Sequence, residues 1–288
     1  MKYCDPIHVD RSKNLDKSQC VITALQRVEI NPVELCNRAC VFCPRSDKNV
    51  YPNRNLHMTT DTMQNIATGL DQIKYNGRLT FSGFGEPMLH ENIFELIRIS
   101  KQIETIERVQ LITNGDRLNR SLIDKLYNSG VDRLEINMYD GPEQQQTFES
   151  MLKDVPTDSY FLRHHYKTSE QDYGLILNNR AGSVDAGEKI QSPIMSRCNL
   201  PFYKLMIDWN GDVLLCCQDW KRVSDIKLNV NHMTIHEIWL NEQFEKYRER
   251  LSNNDRKLKP CNTCNINGTI QGDEAHELFR KNRVYNTS

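Results

Sequence analysis

The sequence predicts an α/β fold: parallel strands joined by helices, followed by a smaller cysteine-rich part. Three observations carry this prediction. From about residue 27, short apolar runs alternate with amphipathic ones. A polar, weakly periodic stretch at 167–197 interrupts that alternation. Beyond it, cysteines recur among short hairpin-like and helical segments.

The elements follow in order. "RVEINPVEL" (27–35) reads as a strand running straight into a cysteine-bearing loop. "TTDTMQNIATGLDQI" (59–73) has a Thr cap and apolar residues at helical spacing. "GRLTFSG" is a strand, "ENIFELIRISKQI" a helix and "RVQLITNG" a strand. "RSLIDKLYNSG" is a helix ending on Gly130, "VDRLEINMYDG" a strand, "EQQQTFESMLK" a weaker helix and "SYFLRHHY" a last strand. Strands joined by helices lie parallel, and right-handed crossovers build an open sheet or a full or partial barrel. Function then sits at the C-terminal strand ends. After the linker, "YKLMIDWNGDVLLCC" has the form of a hairpin turning at Asn210 and Gly211. "TIHEIWLNEQFEKYRERLS" reads as one helix with Ile235, Ile238 and Trp239 on one side.

Composition narrows the function. A chain of 288 residues buries a sizeable core. Its 37 Lys and Arg balance 38 Asp and Glu, so charge gives no case for nucleic acid or an anionic membrane. No apolar run approaches the roughly 18–20 residues that span a bilayer, and the start "MKYCDPIHVDRSKN" lacks the apolar stretch of a signal peptide. The expectation is a cytoplasmic protein acting on a small molecule. In a reducing compartment its ten cysteines point to metal ligation or catalysis rather than disulfides. Cys4 and Cys20 precede the first strand and take no role here.

"VELCNRACVFCPR" (33–45) holds Cys36, Cys40 and Cys43 in a C-x3-C-x2-C spacing with no fourth ligand beside them. A structural zinc site wants four ligands. Three thiolates can instead hold three irons of a [4Fe-4S] cluster and leave the fourth open. With Phe42 before the last cysteine, this spacing resembles the signature of the radical S-adenosylmethionine (SAM) superfamily. The resemblance implies a partial (β/α)6 barrel and an open iron that chelates SAM. It also implies reductive cleavage of SAM to a 5'-deoxyadenosyl radical, fed by a reductase or flavodoxin-type electron donor. "FSGFGEPML" (81–89) resembles the family's GGEP element, with Gly85, Glu86 and Pro87 retained and Phe84 replacing a glycine. Glu86 would face the SAM ammonium. "ITNG" and "EINMYDG" resemble later strand ends that touch SAM, nominating Thr113, Asn114 and Asn137.

Residues 198–220 and "KPCNTCN" resemble a SPASM/twitch extension. The resemblance implies that Cys198, Cys216, Cys261 and Cys264 fully ligate one auxiliary [4Fe-4S] cluster; a Cys4 zinc site is the bland alternative. The chain then divides into an extension (1–26), a barrel core (27–166), a linker (167–197) and an auxiliary domain (198–288). Cys217 is left as an alternative ligand, an inert buried thiol or a hydrogen-atom donor. Arg163 and Arg180 can position a substrate, or stand as salt-bridged arginines. His164 and His165 are proton acceptors by type, and one of the two must face away from the interior. Gln218 and Asp219 follow the auxiliary ligand closely enough to reach a substrate near it. A fully ligated cluster suits electron acceptance, so the implied reaction is oxidation of a secondary alcohol on a sugar or aminocyclitol. An epimerase using Cys217, another peptide-modifying or methylating enzyme, and a non-catalytic metal-binding protein are the alternatives.

Overall fold

Strand β1 (Arg27–Ile30) buries Val28 and Ile30 completely while Arg27 and Glu29 stay half-buried on the other face. That alternation is the architecture in miniature: one apolar face against helices and one polar face turned inward. The computed structural model describes residues 21–167, 177–187, 189–190 and 192–282. Cys4 and Cys20 lie outside them.

In chain order the elements are β1, α1 (Thr60–Gln72), β2 (Arg78–Phe81), α2 (Ile93–Ser100), β3 (Arg108–Thr113), α3 (Arg120–Ser129), β4 (Arg133–Met138), α4 (Pro142–Met151) and β5 (Tyr160–His164). Then come α5 (Leu200–Tyr203), β6 (Lys204–Ile207), β7 (Val213–Leu214), α6 (Ile235–Trp239), α7 (Glu242–Ser252) and α8 (Asp273–Asn282). One seven-stranded sheet runs β5-β4-β3-β2-β1-β6-β7, with every neighbour parallel except the last pair.

The predicted α/β fold is present, and six strands run parallel. The sixth, β6, comes from beyond the linker and pairs with the free edge of β1, Val28 opposite Leu205. The cysteine-rich part therefore continues the barrel's own sheet. The hairpin turns where expected, with Gly211 at φ +86°.

Local chemistry sets the helix limits. Thr59 caps α1 by accepting from Thr62 N, and Asn119 caps α3, which ends on left-handed Gly130. The stretch 234–252, read as one helix, is two. Thr234 and Glu237 form a reciprocal capping box on α6, and the Asn241 side chain restarts α7 by accepting from Gln243 N. An internal Asn that can bond the backbone competes with helix continuation. α8 was not foreseen.

On the concave face, Glu29 pairs with Lys204, and Gln110 donates to Glu135, which also holds Arg163. Burial opposes the charge on Glu29, but the Lys204 ammonium and its hydrogen bond leave the carboxyl below its ordinary range. Nearer the strand ends, Tyr51, Phe84, Met206, Leu214 and Trp220 form a separate apolar cluster. Cys43 packs on it, and so does Cys217.

Candidate active site at the strand ends

The loop after β1 is held before any cofactor enters it. Arg45, fully enclosed, donates from Nε to the Phe84 carbonyl, from Nη1 to Asn53 Oδ1 (3.0 Å) and from Nη2 to the Glu34 carbonyl (2.6 Å). Asn53 bonds both backbone groups of Cys36, at 2.9 and 3.0 Å. Tight turns from Cys43 N to the Cys40 carbonyl and from Ser46 N to the Cys43 carbonyl set the other two thiols. Arg38 reaches Asp116 after β3 and Asp140 after β4, and lies over the Tyr139 ring. The loop is thus stitched across the strand ends by charge-assisted bonds.

All three thiols are half-buried and unpaired, and burial raises each above its ordinary pKa. Cys40 is pushed up to about 11, with the charges on Cys43 and Cys36 adding to the burial cost. Three thiols that resist ionising side by side become thiolates readily only on a cationic partner.

The Gly85-Glu86-Pro87 element packs against the chain leading to those cysteines. Phe84 N and Gly85 N both donate to Asn31 Oδ1, and Glu86 N donates to the Leu35 carbonyl (2.7 Å). A Cβ on Gly85 would stand 2.0 Å from the Val33 oxygen, so only glycine fits. Pro87 opens a short 3-10 turn. Glu86 accepts from Met88 N and Thr113 Oγ1 at Oε1, and from Asn114 N at Oε2. Burial raises its pKa to about 7 against those three bonds. Thr113 and Asn114 thus bracket Glu86, and Asn114 also donates to Asn37 in the cysteine loop.

These groups line a cavity of about 170 Å³ with Cys36, Cys40, Cys43, Phe42, Asn137, Tyr139, His165, Arg180 and Trp220. Phe42, Tyr139 and His165 stack on one another, with ring centroids 5.1–6.1 Å apart. Several polar atoms end here without a partner: Asn137 Oδ1, both His165 ring nitrogens, Arg180 Nε and Trp220 Nε1. Buried polar atoms left open in one cavity are the mark of a ligand site. Burial, with Arg163, Arg180 and His164 nearby, holds His165 neutral, its pKa lowered to about 3. Arg180 arrives on a backbone held at φ +47°, followed by Ala181 at +51°. Such non-glycine residues cost about 1–3 kcal/mol each, a strain often found at functional sites.

Of the adjacent histidines, His165 faces the cavity and His164 faces α4, bonding Gln145. Arg163 lies below the cavity, tied to Glu135.

Cys198, Cys216, Cys261 and Cys264 are all buried, and burial raises each thiol above its ordinary pKa, with other thiols adding to it. Burial and the surrounding thiols raise Cys216 most. Gly268 lies against Cys198, where a Cβ would meet Sγ at 2.4 Å. Gln218 N donates to Cys216 Sγ. Among the described residues no three His, Cys, Asp or Glu side chains close on a single metal ion. Cys217 is half-buried, receives a weak bond from Gln218 Nε2 and is not among the residues lining the cavity. Asp219 accepts from Val223 N and Ser224 N, a structural turn.

Sequence reasoning passed over Arg38, Arg45, Tyr139, Trp220 and Arg222. Arg222 joins residues far apart in the chain, binding Glu34 and Asp208 and lying over the Tyr51 and Phe84 rings. The two arginines of the cysteine stretch carried a signal in their closeness to the ligands; Arg222 carried none.

The comparisons with known proteins agree with this geometry. The Radical SAM superfamily model matches residues 30–162, and the SPASM model, an iron–sulfur cluster-binding domain, matches 198–265. An S-adenosyl-L-methionine-dependent 2-deoxy-scyllo-inosamine dehydrogenase of Niallia circulans is 24% identical over 254 residues, 87% of this chain and 96% of that protein. A GTP 3',8-cyclase of Chlorobaculum tepidum is 32% identical over 111 residues, only 38% of this chain and 32% of that one. The crystal structure of BtrN in complex with AdoMet and 2-DOIA shares the fold, with a TM-score of 0.71 and 23% identity over 84% of this chain and 94% of that one. BtrN in an open conformation gives a TM-score of 0.62 at 20% identity, over 84% and 92% of the two chains. The chain is thus matched in both its parts, by a Radical SAM superfamily domain over residues 30–162 and a C-terminal SPASM iron–sulfur cluster-binding domain over residues 198–265.

Proposed function

We propose that this enzyme oxidises a secondary alcohol of a small polyhydroxylated substrate to a ketone. The observation that carries the reading is the presence of two unlike cysteine sets in one chain. Three thiols open on the cavity, and four are buried. The end-to-end likeness to an inosamine dehydrogenase supports it.

When bound, the two clusters and SAM supply a carbon-centred hydrogen acceptor and a place for one electron. The chain's residues do the rest. Asn137 Oδ1 and Arg180 Nε are free to hold oxygen functions, and Cys36, Cys40 and Cys43 ligate the open cluster. Glu86 keeps lone pairs for the SAM ammonium, while Phe42 and Tyr139 supply an apolar ring face. His165, neutral and unpartnered among the described residues, accepts a hydrogen bond from the hydroxyl and orients it, and the proton itself leaves to solvent. The alcohol carbon loses a hydrogen atom, the hydroxyl a proton and the resulting radical one electron, so that C=O forms and two electrons in all depart. The division into barrel core (27–166), linker (167–197) and auxiliary domain (198–288) belongs to this reading, as does a flavodoxin-type donor.

Cys217 packs against the cluster that includes Trp220 and is not among the cavity-lining residues, which favours oxidation over return of a hydrogen atom by a thiol. The test is anaerobic reconstitution followed by turnover of a substrate deuterated at the carbinol carbon. Deuterium in 5'-deoxyadenosine with one ketone per SAM consumed is expected. Deuterium transfer with an inverted, unoxidised carbinol would overturn it.

A further inference from the structure

We infer that the substrate carries a negatively charged group, a carboxylate or its equivalent, which Arg180 receives, and that an amine-bearing substrate is disfavoured. This deepens the reading of the cavity given above and rests on it.

Among the described residues lining the cavity, the carboxylate is Glu86, and both its oxygens are engaged by Met88 N, Thr113 Oγ1 and Asn114 N. What acceptor capacity remains there belongs to the SAM ammonium. Arg38 is cancelled by Asp116 and Asp140, and Arg45 has given its donors to Phe84, Asn53 and Glu34. Arg180 is different. Its backbone N–H bonds Asn178, but its guanidinium has no hydrogen-bond or ion-pair partner among the described residues, and Nε is buried. Trp220, 5% exposed, adds an indole N–H that also lacks an acceptor. The neutral acceptors are Asn137 Oδ1 and whichever His165 nitrogen is unprotonated.

Two donors without acceptors, one of them cationic, face a lining with no uncommitted carboxylate. An ammonium placed here would be repelled by Arg180, whose charge only the Cys43 thiol nearby offsets, whereas a carboxylate would gain a bidentate, charge-assisted contact in a partly dehydrated space. The contrast is with the relative whose named substrate is an inosamine, an amine.

Three hexoses differing at one group make the test: D-glucuronate, D-glucose and D-glucosamine. Each is titrated by equilibrium binding into the SAM-loaded, reconstituted enzyme, and 5'-deoxyadenosine and ketone are then measured. Glucuronate should bind at least about tenfold more tightly than glucosamine, about 1.4 kcal/mol. In R180Q the gap between glucuronate and glucosamine should shrink to about twofold, and W220F should weaken glucuronate and glucose alike. Equal affinity for the three, tighter binding of glucosamine, or an unchanged preference in R180Q would each overturn the assignment. R180Q that loses SAM cleavage yet keeps the preference would place Arg180 with the cysteine loop instead, and so also overturn it. Preferred binding of glucuronate without ketone formation would sink the dehydrogenase reading and leave the charge assignment standing.

Discussion

The two cysteine sites differ in the one respect that matters for chemistry. Cys36, Cys40 and Cys43 lie on a loop, half-buried, pinned by Arg38 and Arg45 to neighbouring strand ends, and facing a cavity. Cys198, Cys216, Cys261 and Cys264 are buried, with Gly268 pressed against Cys198. An open site can bind and activate a small molecule; a closed one can only exchange electrons. Tyr51, Phe84 and Trp220 pack against Cys43 of the open site, and Arg222 joins Glu34 beside the cysteine loop to Asp208 after β6.

The sharpest way to break this comparison is to remove one site at a time. Replacing Cys36, Cys40 and Cys43 with Ala should abolish 5'-deoxyadenosine formation and remove about four irons per chain. The same change at Cys198, Cys216, Cys261 and Cys264 should also remove about four irons but leave some SAM cleavage, with ketone formation gone. Iron assay and product analysis separate the cases; equal loss of SAM cleavage in both would merge the two roles.

Arg222→Met tests the link from Glu34 to Asp208. It strands the nearly inaccessible carboxylates of Glu34 and Asp208, and unpairing a buried ion costs about 3–5 kcal/mol. Denaturant unfolding should show the loss, and a change under about 1 kcal/mol would mean that Tyr51 and Asn31 suffice to hold those carboxylates.

Glu86 gives the open site a pH signature. Its pKa is raised from 4.5 to about 7 by burial, so the folded chain binds its proton more tightly than the unfolded chain. The corresponding stability is present in full below pH 4.5 and is lost as pH rises through 7. The apo-protein should therefore lose up to about 3 kcal/mol across that window from this group. Glu86→Gln should flatten the dependence in thermal melts; an unaltered pH profile would show that Glu86 is not its source.

The smallest expected effect is at the closed site. Gly268→Ala places a methyl against Cys198 Sγ, and overpacking of this kind costs about 1–3 kcal/mol. It should hasten iron loss from the four-cysteine set alone, measured by chelator challenge.

By itself the sequence determined the β/α order and the hairpin at Gly211, and its resemblance to the radical SAM signature grouped Glu86, Thr113, Asn114 and Asn137, which line one cavity. The first two follow from local periodicity and turn chemistry, the last from motifs at successive strand ends. Only the tertiary structure decided that β6 pairs with β1, that 234–252 breaks at Asn241, and that His165 rather than His164 faces the cavity. It also placed Arg163 in a salt bridge and left the Arg180 guanidinium unpartnered. These outcomes depend on which side chains meet across long separations in the chain, and a buried charge is free or spent according to neighbours that no local pattern names. Trp220 is the plainest case: its indole N–H is open because of where Tyr51, Phe84 and the strand ends meet around it, not because of the residues beside it in the chain.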